Sequence, residues 1–187
     1  MVFDFDSSDL GGATNLTTID LTDTNSGFVA TLTASSGTLI GGDWGTAKTG
    51  ATADYIKCAT NSKNVNLSLT FSGLIAGELY DIQLVTGVPF EGQGSWNSMN
   101  TTNEYTSTDV AFATQNIKVQ DLTTYNVTGV KANEDGEITF TIVNTDGKHS
   151  ASFNYAEITE ATLNVPEPAT ASLSLLGLAA LMIRRRR

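Results

Sequence analysis

An all-β fold, an antiparallel β-sandwich followed by a single hydrophobic helix at the C-terminus, is what this sequence predicts. Three observations carry the expectation. Runs rich in Thr, Val, Ile, Leu and aromatic residues recur about every 8 to 14 residues between clusters of Gly, Asn, Asp and Ser, the spacing of short strands joined by turns. No segment before Ala169 shows a convincing helical period. The long uncharged apolar run, Ala169 to Ile183, stands at the very end. The chain therefore divides into a β domain over residues 1–159, a linker over 160–164 and a tail over 165–187.

Taken in order, the expected strands are Phe3–Phe5, Thr17–Leu21, Phe28–Ala34, Asp54–Ala59, Val65–Phe71, Leu79–Val85, Val110–Thr114, Tyr125–Lys131, Ile138–Val143 and Ala151–Ile158. Val65, Leu67, Leu69 and Phe71 alternate cleanly with polar residues, so they share one buried face. Tyr80, Ile82 and Leu84 do the same after the stretch Gly73-Leu74-Ile75-Ala76-Gly77. The Leu74, Gly77, Tyr80 spacing looks like a tyrosine corner, in which the Tyr hydroxyl bonds back to the turn before its strand. Near the end, Asn144-Thr145-Asp146-Gly147 separates two alternating runs and predicts a hairpin. The block from Val65 to Ile158 resembles, in general pattern, the jelly-roll and Greek-key domains of the galactose-binding-like kind.

The tail has three unlike pieces in a fixed order: Pro166-Glu167-Pro168, the apolar run, then Arg184, Arg185, Arg186 and Arg187. The run holds five Leu, one Ile, one Met and four Ala and no charge, without the polar face that a surface helix keeps. Fifteen residues at about 1.5 Å rise span roughly 22 Å against a hydrocarbon core of about 30 Å, a marginal span. The Arg side chains lengthen it by snorkelling and hold the C-terminus on the cytoplasmic side. This order is similar to the PEP-CTERM sorting signal of Gram-negative bacteria, over Val165–Arg187. The resemblance implies Pro166, Glu167 and Pro168 as the recognition motif, residues 169–183 as a transient transmembrane segment and Arg184–Arg187 as the cytoplasmic stop. It further implies an exosortase, a membrane-embedded cysteine protease, as partner, passage through the inner membrane, and delivery to the cell surface or an exopolysaccharide and biofilm matrix. The N-terminal MVFDFDSSDL has neither a basic nor an apolar leader region; the expectation is a true start further upstream.

Net charge is −10. Four Arg and one Glu give the tail +3, leaving −13 on the body, whose cations are all Lys. Such a body is a poor partner for nucleic acid. Cys58 is the single cysteine, so no intrachain disulfide forms; alternation places it with Ile56 in the core. One Cys and one His cannot build a structural zinc site.

Candidate binding residues fall in two Gly-rich stretches expected as loops, Gly41–Thr46 and Gly87–Asn103. Trp44 and Trp96 there are of the type that stacks on a sugar face, with Asp43 and Asn97 to grip hydroxyls; packing as lids on the core is the competing reading. Asp4, Asp6 and Asp9 form a weak calcium candidate, lacking the glycine that an EF-hand loop needs. His149, the lone histidine, sits in a turn, and no nucleophile elbow is present. The expectation is a non-enzymatic protein without a required cofactor, with a carbohydrate-binding module of a surface adhesin as the alternative.

Overall fold

The computed structural model describes residues 1–24, 26–43, 54–59, 62–87, 96–108, 116–118, 122–145, 147 and 151–161. The expected C-terminal helix, the whole sorting tail, the strand Val110–Thr114 and His149 lie outside them.

Within the described residues the chain is all-β, with three antiparallel sheets and one short 3₁₀ turn, Ser7–Leu10. Strands are numbered along the chain. The first sheet runs β1 (Val2–Asp4), β14 (Tyr155–Glu160), β7 (Leu79–Thr86), β11 (Thr123–Lys131) and β9 (Ser107–Thr108). The second, of six strands, runs β10 (Asn116–Lys118), β8 (Trp96–Thr101), β12 (Ile138–Asn144), β6 (Asn66–Ser72), β3 (Val29–Ala34) and β2 (Thr18–Thr22). The third joins β13 (Ser152–Phe153), β5 (Asp54–Cys58) and β4 (Leu39–Asp43).

Alternation explains why these segments stack. On β6, Leu67, Leu69 and Phe71 are buried while Ser68, Thr70 and Ser72 face outward; β12 repeats the pattern with Ile138, Phe140 and Ile142 inside. One continuous hydrophobic cluster draws on all three sheets. Phe3 of β1 meets Phe71 of β6 with ring centroids 5.8 Å apart, bridging the first sheet and the second. Phe5 tilts against Phe153 at 6.4 Å. Each such fully buried side chain contributes about 1.5–3 kcal/mol of transfer free energy.

The expected tyrosine corner is present. The Tyr80 hydroxyl accepts a hydrogen bond from the Ile75 N–H at 3.0 Å, and Tyr80 is fully buried. The turn is closed from the other side, where Leu74 N–H donates to the Gly136 carbonyl at 3.1 Å. Gly136 has φ +71°, and a Cβ there would lie 2.3 Å from the Leu74 carbonyl oxygen. Only glycine fits.

The expected hairpin is not one. β12 pairs with β6 and β8, whereas β13 joins β5 and β14 joins β1 and β7. Asn144 caps this turn by accepting from the Gly147 N–H at 2.7 Å, but the chain then crosses between sheets. Both flanking strands bury one face in the same core, and they do so from different sheets rather than side by side. The expected strand Ala151–Ile158 is likewise broken at Asn154, whose N–H donates to the Val85 carbonyl and whose own carbonyl accepts from Phe5. Two expected loops contain strands: β4 takes in Gly41, Gly42 and Asp43, and β8 takes in Trp96 and Asn97.

Candidate functional site

The three N-terminal aspartates have separate tasks. Asp6 caps the 3₁₀ turn by accepting from the Ser8 N–H, and Asp9 Oδ2 accepts from the Asp6 N–H at 2.9 Å, a reciprocal capping box. The bond to Ser8 holds the Asp6 carboxyl below its usual range, while burial raises Asp9. Asp4 differs. Its carboxyl is only partly buried, yet its Oδ1 is shielded from solvent and has no hydrogen-bond partner among the described residues. Burial first, then the charges of Asp6, Asp54 and Asp9, push it up to about 6. Two of the three carboxylates thus serve the backbone, and the third favours its neutral form. Among the described residues no group of three or more His, Cys, Asp or Glu is placed to hold a metal ion.

The residues singled out for sugar stacking are not loop neighbours. Asp43 ends β4 opposite Asp54 in the third sheet, and Trp44 lies outside the described residues. Trp96 and Asn97 belong to the six-stranded sheet, where Asn97 pairs with Asn144 on one side and Ile117 on the other. Sequence reading missed β8 because Trp-Asn-Ser-Met-Asn-Thr is poor in β-branched residues, although Met99 at its centre is buried. The described aromatic beside Asp43 is Tyr55, which covers Gly42 so closely that a Cβ there would lie 2.5 Å from its ring. Lys57 Nζ sits 5.8 Å from the same ring centroid, a cation–π distance. Burial lowers the Lys57 ammonium from its usual range.

Cys58 is wholly buried, and burial pushes its thiol up to about 11. A thiol so rarely ionised is a core residue, as expected.

A cavity of about 570 Å³ opens where the turns after β6, β8 and β11 converge, with Gly77, Asn103, Glu104, Lys131 and Asn133 in its wall. That size suits a small ligand. Its organising residue is Asn103. Nδ2 donates to the carbonyls of Lys131 (2.9 Å) and Glu137 (3.0 Å), while Oδ1 accepts from Thr139 N–H (3.0 Å) and Thr101 Oγ1 (3.3 Å). All four of its carboxamide positions are filled, so Asn103 is a strut and not a ligand donor. Lys131 and Glu104 form a solvent-exposed ion pair at 3.6 Å. No sequence signal marked this place, because its residues come from separate turns.

Comparison with known proteins bears on the tail alone. Residues 164–187 match the family model of the PEP-CTERM protein-sorting motif. No curated protein and no solved structure matches the chain. The matched segment contains Pro166-Glu167-Pro168 and Arg184–Arg187. A signal of this kind implies recognition by an exosortase, a membrane protein, with export and membrane anchoring before processing.

Proposed function

We propose that this chain is an exported, non-enzymatic protein of the cell surface or extracellular matrix, its β-sandwich body delivered by residues 165–187. The single observation carrying this reading is the sorting-motif match over residues 164–187, in which an apolar run too short for a secure anchor follows a Pro-Glu-Pro motif. A marginal span suits a segment held briefly by the membrane and then passed to a protease. The exopolysaccharide or biofilm setting rests on the same tail. A jelly-roll arrangement of the body is supported by two larger antiparallel sheets sharing one core and by the tyrosine corner.

In a host carrying an exosortase, the full chain should reach the surface with residues after the motif removed, as read by intact-mass spectrometry. Replacing Pro166 and Pro168 with Ala should leave the precursor at the inner membrane. Mature protein that retains Arg184–Arg187, or a variant delivered as efficiently as the wild type, would count against the reading.

A further inference from the structure

Among the described residues, two adjacent rows on the outward face of the six-stranded sheet are built of hydrogen-bonding side chains, all but one of them uncharged. In one row, Thr18, Thr33, Ser68, Thr141 and Asn100 stand opposite one another across five strands. In the next row, Asp20, Thr31, Thr70 and Thr139 do the same across four. These side chains are half-buried or exposed. Strand spacing sets the members of a row about 4.8 Å apart, and the rows lie about 7 Å apart along the strands.

Cross-strand bonds fix the array. Thr18 and Thr33 hydroxyls lie 3.3 Å apart, Ser68 and Thr141 3.1 Å, Thr70 and Thr139 2.9 Å, and Thr31 donates to Asp20 at 2.6 Å. Each hydroxyl pair uses one O–H internally and leaves one O–H and several lone pairs facing outward. Threonine is stiff at χ1 in a strand, so little side-chain freedom is lost when a ligand settles on it. On a body carrying −13, Asp20 at the edge strand is the single carboxylate in these two rows.

We propose that this face docks an uncharged polysaccharide chain. Sugar hydroxyls both donate and accept, as the paired Thr hydroxyls do, and a regular grid meets a regular polymer many times over. Charge decides against a polyanion, which the acidic body repels. Sheet twist of roughly 20–25° per strand curves the grid, which suits a single flexible chain better than a flat crystalline surface. The proposal is independent of the tail and of Trp44.

The test is affinity electrophoresis of the full chain in mild neutral detergent, through native gels containing dextran, galactomannan or hydroxyethylcellulose, with alginate as the polyanion. At least one neutral polymer should retard the protein, and alginate should not. The triple variant Thr31→Val, Thr70→Val, Thr141→Val keeps the β-branched shape and should weaken retardation by about tenfold with its melting temperature little changed. Thr70→Val alone, with a smaller loss, serves if the triple variant fails to fold. Absence of retardation by all three neutral polymers overturns the proposal. So does equal retardation by alginate, full retardation of a folded Thr70→Val or triple variant, or a loss that follows Trp44→Ala instead. None of these outcomes bears on delivery by the tail, which is read by surface localisation.

Discussion

Tyr80 shows how one side chain ties a turn to a core. Its ring is buried and its hydroxyl satisfies the Ile75 N–H, so Tyr80→Phe leaves that donor without a partner and should cost about 1 kcal/mol. Tyr80→Ala also opens a cavity and should cost about 3 kcal/mol. Urea titration checks both, as a lower midpoint at unchanged slope. Asp4 makes a prediction of opposite sign. Its carboxyl is pushed up to about 6 from an ordinary 3.8, so the folded state binds the proton more tightly. Stability therefore falls as pH rises through that interval and levels off above it. Asp4→Asn should raise stability at neutral pH by about 1 kcal/mol, a figure reduced because the group is largely exposed to screening, and the gain should vanish as pH falls to the ordinary carboxylate value of 3.8. Thermal melts of both proteins across pH decide it. The capping box of Asp6 and Asp9 lies in their spacing, whereas the shielding of Asp4 Oδ1 depends on β1 packing at the sheet edge and on Asp54, fifty residues away in sequence.

At the scale of elements, the strands that were legible are those with strict alternation. β6, β7 and β12 sit close to the expected ranges, because period-two patterning states directly which side chains leave water. β4 and β8 were not legible. One carries Gly41-Gly42 and the other is rich in Asn and Ser, so propensity disfavours both, and backbone pairing with neighbours overrides it. The turns are governed by single residues. Asn103→Ala strips partners from two carbonyls and one N–H, and should cost about 2 kcal/mol, with faster amide exchange at Thr139. Gly136→Ala should be at least as harmful, since the new methyl group meets backbone that cannot move aside. Differential scanning calorimetry ranks the two. The cavity beside Asn103 had no counterpart in the sequence, since three turns distant in the chain meet there.

Over the whole molecule, body and tail are expected to be separable. Among the described residues the core draws its members from residues 3 to 158, and the tail is a sorting motif in its own right; deleting residues 165–187 should leave the unfolding midpoint within about 0.5 kcal/mol of the full chain while abolishing delivery. A truncated protein that no longer folds would show the tail to be part of the body. The sequence by itself determined the fold class, the buried face of most strands, the tyrosine corner and the sorting tail. Each of these is written in residues close together along the chain, through alternation, turn chemistry or ordered motif. Only the tertiary structure decided which strands are neighbours: that β12 and β14 lie in different sheets instead of a hairpin, that Asp43 and Trp96 stand on different sheets, and that Thr and Ser from four strands align in one hydroxyl-rich grid. Alternation tells a strand which face to bury. It carries no information about the partner across the ladder, because register is settled by hydrogen bonds and packing between segments far apart in the chain.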